Sequence, residues 1–159
     1  LIRWPGHLEE HVRRDCVMNT VDIMPTLLSL MDLPVPLGGE GKDFSMAVKG
    51  EEVRDDGALM MCTGPTAAWG DGQEWRAFRT RRYKYAVYRS DQQEFLFDLE
   101  NDPYERNNLA GDPEYRDRLE DLKRRMYSRM EAVGDRFESN TYYRDHWVED
   151  RIIRHTATI

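Results

Sequence analysis

Between Val17 and Met31 the apolar positions fall at alternating four and three spacing: Val17, Val21, Met24, Leu28 and Met31, with Ile23, Leu27 and Leu30 widening the stripe. That period is helical, and a stripe so broad predicts a buried helix over residues 22–31, covered on more than one side. Thr20 or Asp22 can cap its first turn, and Pro25 lies near the start, where a missing N–H costs little. Pro34-Val35-Pro36 ends the helix, and Gly38-Gly39-Glu40-Gly41 continues the loop. From Gly57 onward the pattern turns extended. Residues 58–63 form a compact apolar run broken by Gly64-Pro65, and residues 75–80, 83–89 and 94–99 read as three more short strands rich in aromatic and β-branched side chains. Their short connections favour an antiparallel meander, because parallel neighbours need a crossover of about a dozen residues. Asp102-Pro103 stops the last strand. Asp112-Pro113-Glu114 then supplies a cap, a first-turn proline and an acid for a second helix, whose stripe is Tyr115, Leu119, Leu122, Met126 and Met130 and whose end is Gly134. That helix is expected to lie across the sheet. At the other end, residues 1–4 read as the later part of a strand stopped by Pro5-Gly6, which predicts that the chain continues from something longer. Residues 135–159 are aromatic and charged without a period.

Composition narrows the class. With 159 residues, 40% hydrophobic, 33% charged and a formal charge of −7, the chain is too apolar for intrinsic disorder and too acidic for a dedicated nucleic-acid binder. A chain of this length buries roughly two-thirds of its unfolded surface, enough for a proper core without staples. The longest uninterrupted apolar run, Ala58–Cys62, is far short of the ~18 residues a membrane span needs, so no membrane partner is expected. Cys16 and Cys62 make either one bridge or two buried thiols, and the compartment stays open.

Few residues announce chemistry. His7 and His11 flank Glu9 and Glu10, but the zinc-protease pattern needs Glu directly after the first His, where Leu8 stands; the segment reads as a solvated loop. His146 and His155 have no ligand-spaced neighbours, so no metal is assigned. Gly41-Lys42 fails as a phosphate loop because Pro36 and Asp43 occupy the required Gly and Ser/Thr positions. No Gly-x-Ser-x-Gly elbow is present. Between Trp75 and Ser90, however, stand Arg76, Arg79, Arg81, Arg82, Lys84 and Arg89 without an acid. Interleaved with Trp75, Phe78, Tyr83, Tyr85 and Tyr88, they form either an anion-binding face or an outward sheet face paired with the acidic helix and turn.

Taken in order, five segments resemble the C-terminal part of a sulfatase. They are Leu1-Ile2-Arg3-Trp4-Pro5-Gly6; Val21-Asp22-Ile23-Met24-Pro25-Thr26-Leu27-Leu28; Gly41-Lys42-Asp43-Phe44-Ser45-Met46 running on to Lys49-Gly50-Glu51; Arg79-Thr80-Arg81-Arg82-Tyr83-Lys84-Tyr85; and Phe97-Asp98-Leu99-Glu100-Asn101-Asp102-Pro103-Tyr104-Glu105 with Asn107-Asn108-Leu109. The resemblance extends to about Gly134. It implies an α+β fold: a small four-stranded antiparallel sheet with a packed C-terminal helix, plus an N-terminal strand and buried helix at the edge of a preceding α/β domain. The corresponding division is residues 1–56 as the tail end of that domain, 57–134 as the sheet-and-helix subdomain and 135–159 as an extension.

For the whole family enzyme the resemblance implies a sulfuric ester hydrolase of the alkaline-phosphatase-like superfamily. Its Cys or Ser, in a C-x-P-S-R-like motif, becomes a formylglycine nucleophile beside a calcium ion. This chain departs from that motif, since Cys16 is followed by Val-Met-Asn-Thr and Cys62 by Thr-Gly-Pro-Thr. No catalytic or metal residue and no cofactor is therefore assigned within it. The implied partners are the preceding sulfatase domain and a sulfated carbohydrate or small sulfate ester, and the chain alone is expected to be inactive. Substrate recognition is assigned to residues 66–76, where Trp69, Asp71, Gln73, Trp75 and Arg76 combine aromatic platforms with hydrogen-bonding groups. Two alternatives stand beside this: a phosphonate monoester or phosphodiester hydrolase of the same superfamily, and a non-enzymatic module binding anionic glycans.

Overall fold

A computed structural model describes residues 1–8, 12–37, 39–53, 56–65, 70–146, 148–149 and 152–153. The chain divides into two compact units, Leu1–Ala58 and Leu59–Ile159.

In the first unit a 3₁₀ turn, Thr20–Asp22, leads into helix α1, Ile23–Leu30, and a second short helix, α2, spans Ser45–Lys49. The start is capped by Asn19 rather than by Thr20. Asn19 Oδ1 accepts from Thr20 N–H at 2.8 Å, and the Asn19 side chain also accepts from Asp22 N–H while the Asp22 carboxylate accepts from Asn19 N–H at 2.7 Å, a reciprocal capping box. The other Asp22 oxygen accepts from Lys42 N–H at 2.7 Å, and buried Thr26 Oγ1 accepts from Phe44 N–H at 3.0 Å, so α1 is tied to the segment that opens α2. That approach is close enough to demand glycine at 41, since a Cβ there would lie 2.0 Å from Val21 O. Helix α2 was not legible in the sequence; its five residues are too few to show a period. The strand expected at residues 1–4 does not form. Among the described residues nothing pairs with it, and Trp4 O instead accepts from His7 and Leu8 N–H in a turn.

In the second unit strands β1 (Ala58–Cys62), β2 (Trp75–Arg79), β3 (Tyr83–Tyr88) and β4 (Glu94–Asp98) form the antiparallel meander in sequence order, with Phe78 opposite Tyr85 and Tyr85 opposite Leu96. Strand alternation puts Phe78, Tyr85, Val87 and Leu96 on one face. Helix α3, Arg116–Ala132, lies on that face and buries Leu119, Leu122, Met126 and Met130 against it. Its start is built as expected: Asp112 accepts from Glu114 N–H at 2.9 Å, and Pro113 opens a 3₁₀ turn before the helix. Its end turns on Gly134 in the left-handed region, φ 69°. The opposite sheet face carries part-exposed Trp75, Tyr88, Phe95 and Phe97, with Tyr88 edge-on to Phe95 and Phe95 stacked on Phe97.

The expected extension after residue 134 is not separate. Asp135, Asn140 and Tyr143 are buried in the second unit, helix α4 spans Asn140–His146, and a two-stranded ribbon, β5 (Val148–Glu149) and β6 (Ile152–Ile153), follows. The reason is long-range: the polar side chains of this segment bond to β2 and to the loop before it.

Candidate functional site

The segment that the sequence singles out meets the sheet at the start of β2, and its last member turns inward. By alternation Arg76 shares the Phe78 face, and it is fully buried. Its guanidinium pairs with buried Asp135, Nη2 to Oδ1 at 2.9 Å and Nε to Oδ2, and it also donates to Cys62 O and Tyr143 Oη at 3.1 Å each. The Phe137 ring lies 4.6 Å from it. Arg76 is thus corrected from a substrate contact to a buried tie between β2 and the tail; no part of it reaches solvent.

Asp71 and Gln73 are exposed, and Trp75 is part-exposed on the sheet face away from α3. Trp69 lies outside the described residues. The loop is fixed by the first turn of α4, whose orphan N–H groups find three separate acceptors. Glu74, buried, accepts from Asn140 N–H at 2.6 Å; Asp71 accepts from Thr141 N–H at 2.8 Å; Ser139 Oγ accepts from Tyr142 N–H at 3.2 Å. Asp71 also accepts from Thr141 Oγ1 at 2.8 Å, and the two Thr141 bonds, the backbone one foremost, hold its carboxyl below the usual carboxylate range. Negative charge at a helix N-terminus is favourable besides.

Asn140 is fully buried, and its Nδ2 donates to Pro65 O and Gly70 O, each at 3.2 Å, while its Oδ1 has no partner among the described residues. A buried acceptor left bare costs about 1–3 kcal/mol, so the amide is held for its two donated bonds. Sequence reading missed Asp135, Asn140, Thr141 and Tyr143. The available signal was Ser139-Asn140-Thr141, three residue types that favour helix starts, ahead of Tyr142-Tyr143.

The basic run is not a free anion-binding face. Arg82 makes a two-pronged bond to Asp98, 2.8 Å at its shortest, and pairs with Glu100; Lys84 pairs with Glu105 at 2.6 Å; Arg89 donates to Phe137 O at 2.8 Å. Hydrogen bonds from Arg82 pull the Asp98 carboxyl down to about 2 against the effect of burial, with help from Asn101 and the Glu100 N–H. The residues that carry the sulfatase resemblance work the same way. Asp102 accepts from Arg106 and Asn107 N–H, and Asn108 bonds the outer edge of β4 by accepting from Leu96 N–H at 2.9 Å and donating to Glu94 O at 3.0 Å. They hold turns and an edge strand.

The described residues do not fit a formylglycine or a calcium ion. Among the described residues no three His, Cys, Asp or Glu side chains converge. Cys16 and Cys62 are part-exposed thiols outside any disulfide, rather than buried ones, and Cys62 Sγ accepts from Gly64 N–H at the end of β1. His7 stacks on Trp4, and His11 and His155 lie outside the described residues. No described helix is long and apolar enough to cross a membrane.

Comparison with known proteins places this architecture. An "Ulvan-active sulfatase" of Formosa agariphila is 35% identical over 145 residues, 90% of this chain and 28% of that protein. A "Delta 4,5-hexuronate-2-O-sulfatase" of Bacteroides thetaiotaomicron is 33% identical over 60% of this chain and 20% of its own length. Among solved structures, a 2-O GAG sulfatase superposes with TM-score 0.65 at 23% identity, over 86% of this chain and 30% of that one. A phosphonate monoester hydrolase from Silicibacter pomeroyi superposes with TM-score 0.62 at 22% identity, over 82% and 28%. These two likenesses establish the fold. The chain spans less than a third of the length of each of these relatives. The family model for the N-sulphoglucosamine sulphohydrolase C-terminal domain matches residues 1–132, most of the chain, and the chain belongs to that family of sulfatase C-terminal domains.

Proposed function

We propose that this chain serves as the C-terminal domain of a sulfatase whose nucleophile and metal ligands lie in a preceding domain. In this role it supplies packing and a substrate-recognition loop and does not turn over ester alone. The observation that carries the reading is the bare side of α1. Val21, Ile23 and Met24 are each 48% exposed, Leu27 39% and Met31 50%, a contiguous apolar side that water disfavours. A hollow of about 410 Å³ beside it, lined by Val21, Met24, Pro25 and Val35, continues the surface. This side is the seat of the preceding domain. Asp71, Gln73 and Trp75 border the substrate, a sulfated carbohydrate or small sulfate ester; the names of the relatives, an ulvan-active sulfatase and a hexuronate 2-O-sulfatase, support the carbohydrate class.

The test is turnover by the chain alone and by the chain joined to its preceding domain, on 4-nitrophenyl sulfate, a 2-O-sulfated hexuronate disaccharide and an aryl phosphonate monoester. The expected result is no turnover alone and, when joined, faster release of sulfate than of phosphonate. Turnover by the chain alone would overturn the division of labour. Faster phosphonate cleavage would favour the second reading, a phosphonate monoester hydrolase, which the shared fold supports. The paired state of Arg76, Arg82, Lys84 and Arg89 speaks against a module that binds anionic glycans through this face.

A further inference from the structure

Asn140 sits where one side chain can control a loop from outside it. Its Nδ2 donates to the carbonyls of Pro65 and Gly70, two points six residues of chain apart, counting both, and its backbone N–H reaches Glu74 in the same approach to β2. Thr141 adds the bonds to Asp71, and Gly72 N–H is held by the second Glu74 oxygen at 2.8 Å. The start of α4 thus grips the approach to β2 on both sides, and the buried Arg76–Asp135 pair and the Arg89 bond to Phe137 O anchor the grip to the sheet. The cost of the arrangement is visible, since Asn140 Oδ1 is buried with no partner among the described residues so that Nδ2 can face the two carbonyls.

We infer that Asn140 is a positioning residue that fixes the Gly70–Trp75 stretch and, through Asp71, Gln73 and Trp75, sets which sulfated sugar the enzyme accepts. This rests on the recognition role proposed above. A side chain that touches no substrate can act this way because the exposed residues of the loop have few other constraints: Gln73 and Asp71 are exposed, and the bonds of Asp71 run to the same helix start. The family model ends at residue 132, before Asp135, Phe137, Asn140 and Thr141, the members of the grip that the tail contributes, so the effect is expected on selectivity rather than on the shared architecture.

The test uses the complete enzyme with Asn140→Asp, which keeps the shape but turns an acceptor toward the two carbonyls, and Thr141→Val, which removes the hydroxyl and its bonds to Asp71 and Ser139 Oγ from a part-exposed position and leaves the backbone bond to Asp71 in place. Hydrogen exchange at the 70–74 amides is read beside KM and kcat on a 2-O-sulfated hexuronate disaccharide and on 4-nitrophenyl sulfate. For Asn140→Asp the expected result is faster exchange and a rise in disaccharide KM of about tenfold, with kcat and KM on the aryl ester within about twofold. Thr141→Val should move the same quantities in the same direction by less, and it carries the test if Asn140→Asp does not fold. Unchanged exchange in the folded variants would overturn the grip. Faster exchange with equal losses on both esters would overturn the selectivity role and leave the sulfatase reading intact. A parent enzyme that cleaves no sulfated sugar would sink that reading, and the inference with it, whatever the exchange shows.

Discussion

Helices α1 and α3 both carry apolar stripes at helical spacing, yet their surroundings differ. Leu119, Leu122, Met126 and Met130 of α3 are buried against the sheet, whereas α1 buries only Pro25, Thr26 and Leu30 and leaves Ile23, Met24 and Leu27 in water. A stripe in a sequence states that a face needs covering; it does not state what covers it. For α3 the cover is the meander that the same chain folds. For α1 the inner side is fully engaged, through Asp22, Thr26 and the close approach of Gly41, and the outer side awaits the preceding domain proposed above.

The largest effect should come from the tie that completes the closed unit. Asp135→Ala leaves Arg76 charged and buried without its partner and is expected to cost about 3–5 kcal/mol, read as a fall in urea midpoint. Next comes the direct contrast of the helices. Leu122→Ala should destabilise its unit by about 2–5 kcal/mol. Leu27→Ala should change this chain by no more than about 0.5 kcal/mol, and by much more once the outer side of α1 is covered. Equal losses in the chain as it stands would break the comparison. Gly41→Ala sharpens it from the other side: a Cβ 2.0 Å from Val21 O must displace backbone, and a loss of about 1–3 kcal/mol would show that the inner side of α1 is already built.

The smallest effect is electrostatic. Asp98 has its carboxyl lowered from an ordinary 3.8 to about 2, so its pairing with Arg82 favours the folded state above about pH 4 and fades as pH falls through about 2. Arg82 is about half exposed, and screening keeps the contribution small. The difference in urea midpoint between the parent and Asp98→Asn should therefore shrink as pH drops across that window.

The elements that local chemistry specifies were legible in the sequence. Strand β1 is a compact apolar run, β2, β3 and β4 carry aromatic residues and are joined by tight turns, and α3 announces itself with Asp112, Pro113 and Gly134. Helix α2 was not, because five residues leave no period, and the strand expected at residues 1–4 is absent here because nothing among the described residues pairs with it. The tail was unreadable for a different reason: Asp135 meets Arg76 across 59 residues, and Asn140 meets Gly70 across 70, so nothing local marks them. Within the candidate site the misassigned Arg76 could have been caught by strand parity. It alternates with Phe78 onto the face that packs on α3, opposite Val87, where an arginine must find a buried partner rather than a substrate. Asp71 and Gln73 lie exposed on the loop, but the support beneath Asp71 comes from a segment without a pattern.

Hydrogen exchange at the α1 amides, Ile23–Leu30, compared between this chain and the polypeptide that includes the preceding domain, tests the docking surface most directly. Protection in α1 should rise strongly on adding the domain while protection in α3, Arg116–Ala132, stays as it was. Equal α1 protection in both would contradict the claim that its apolar side is the seat of a missing partner.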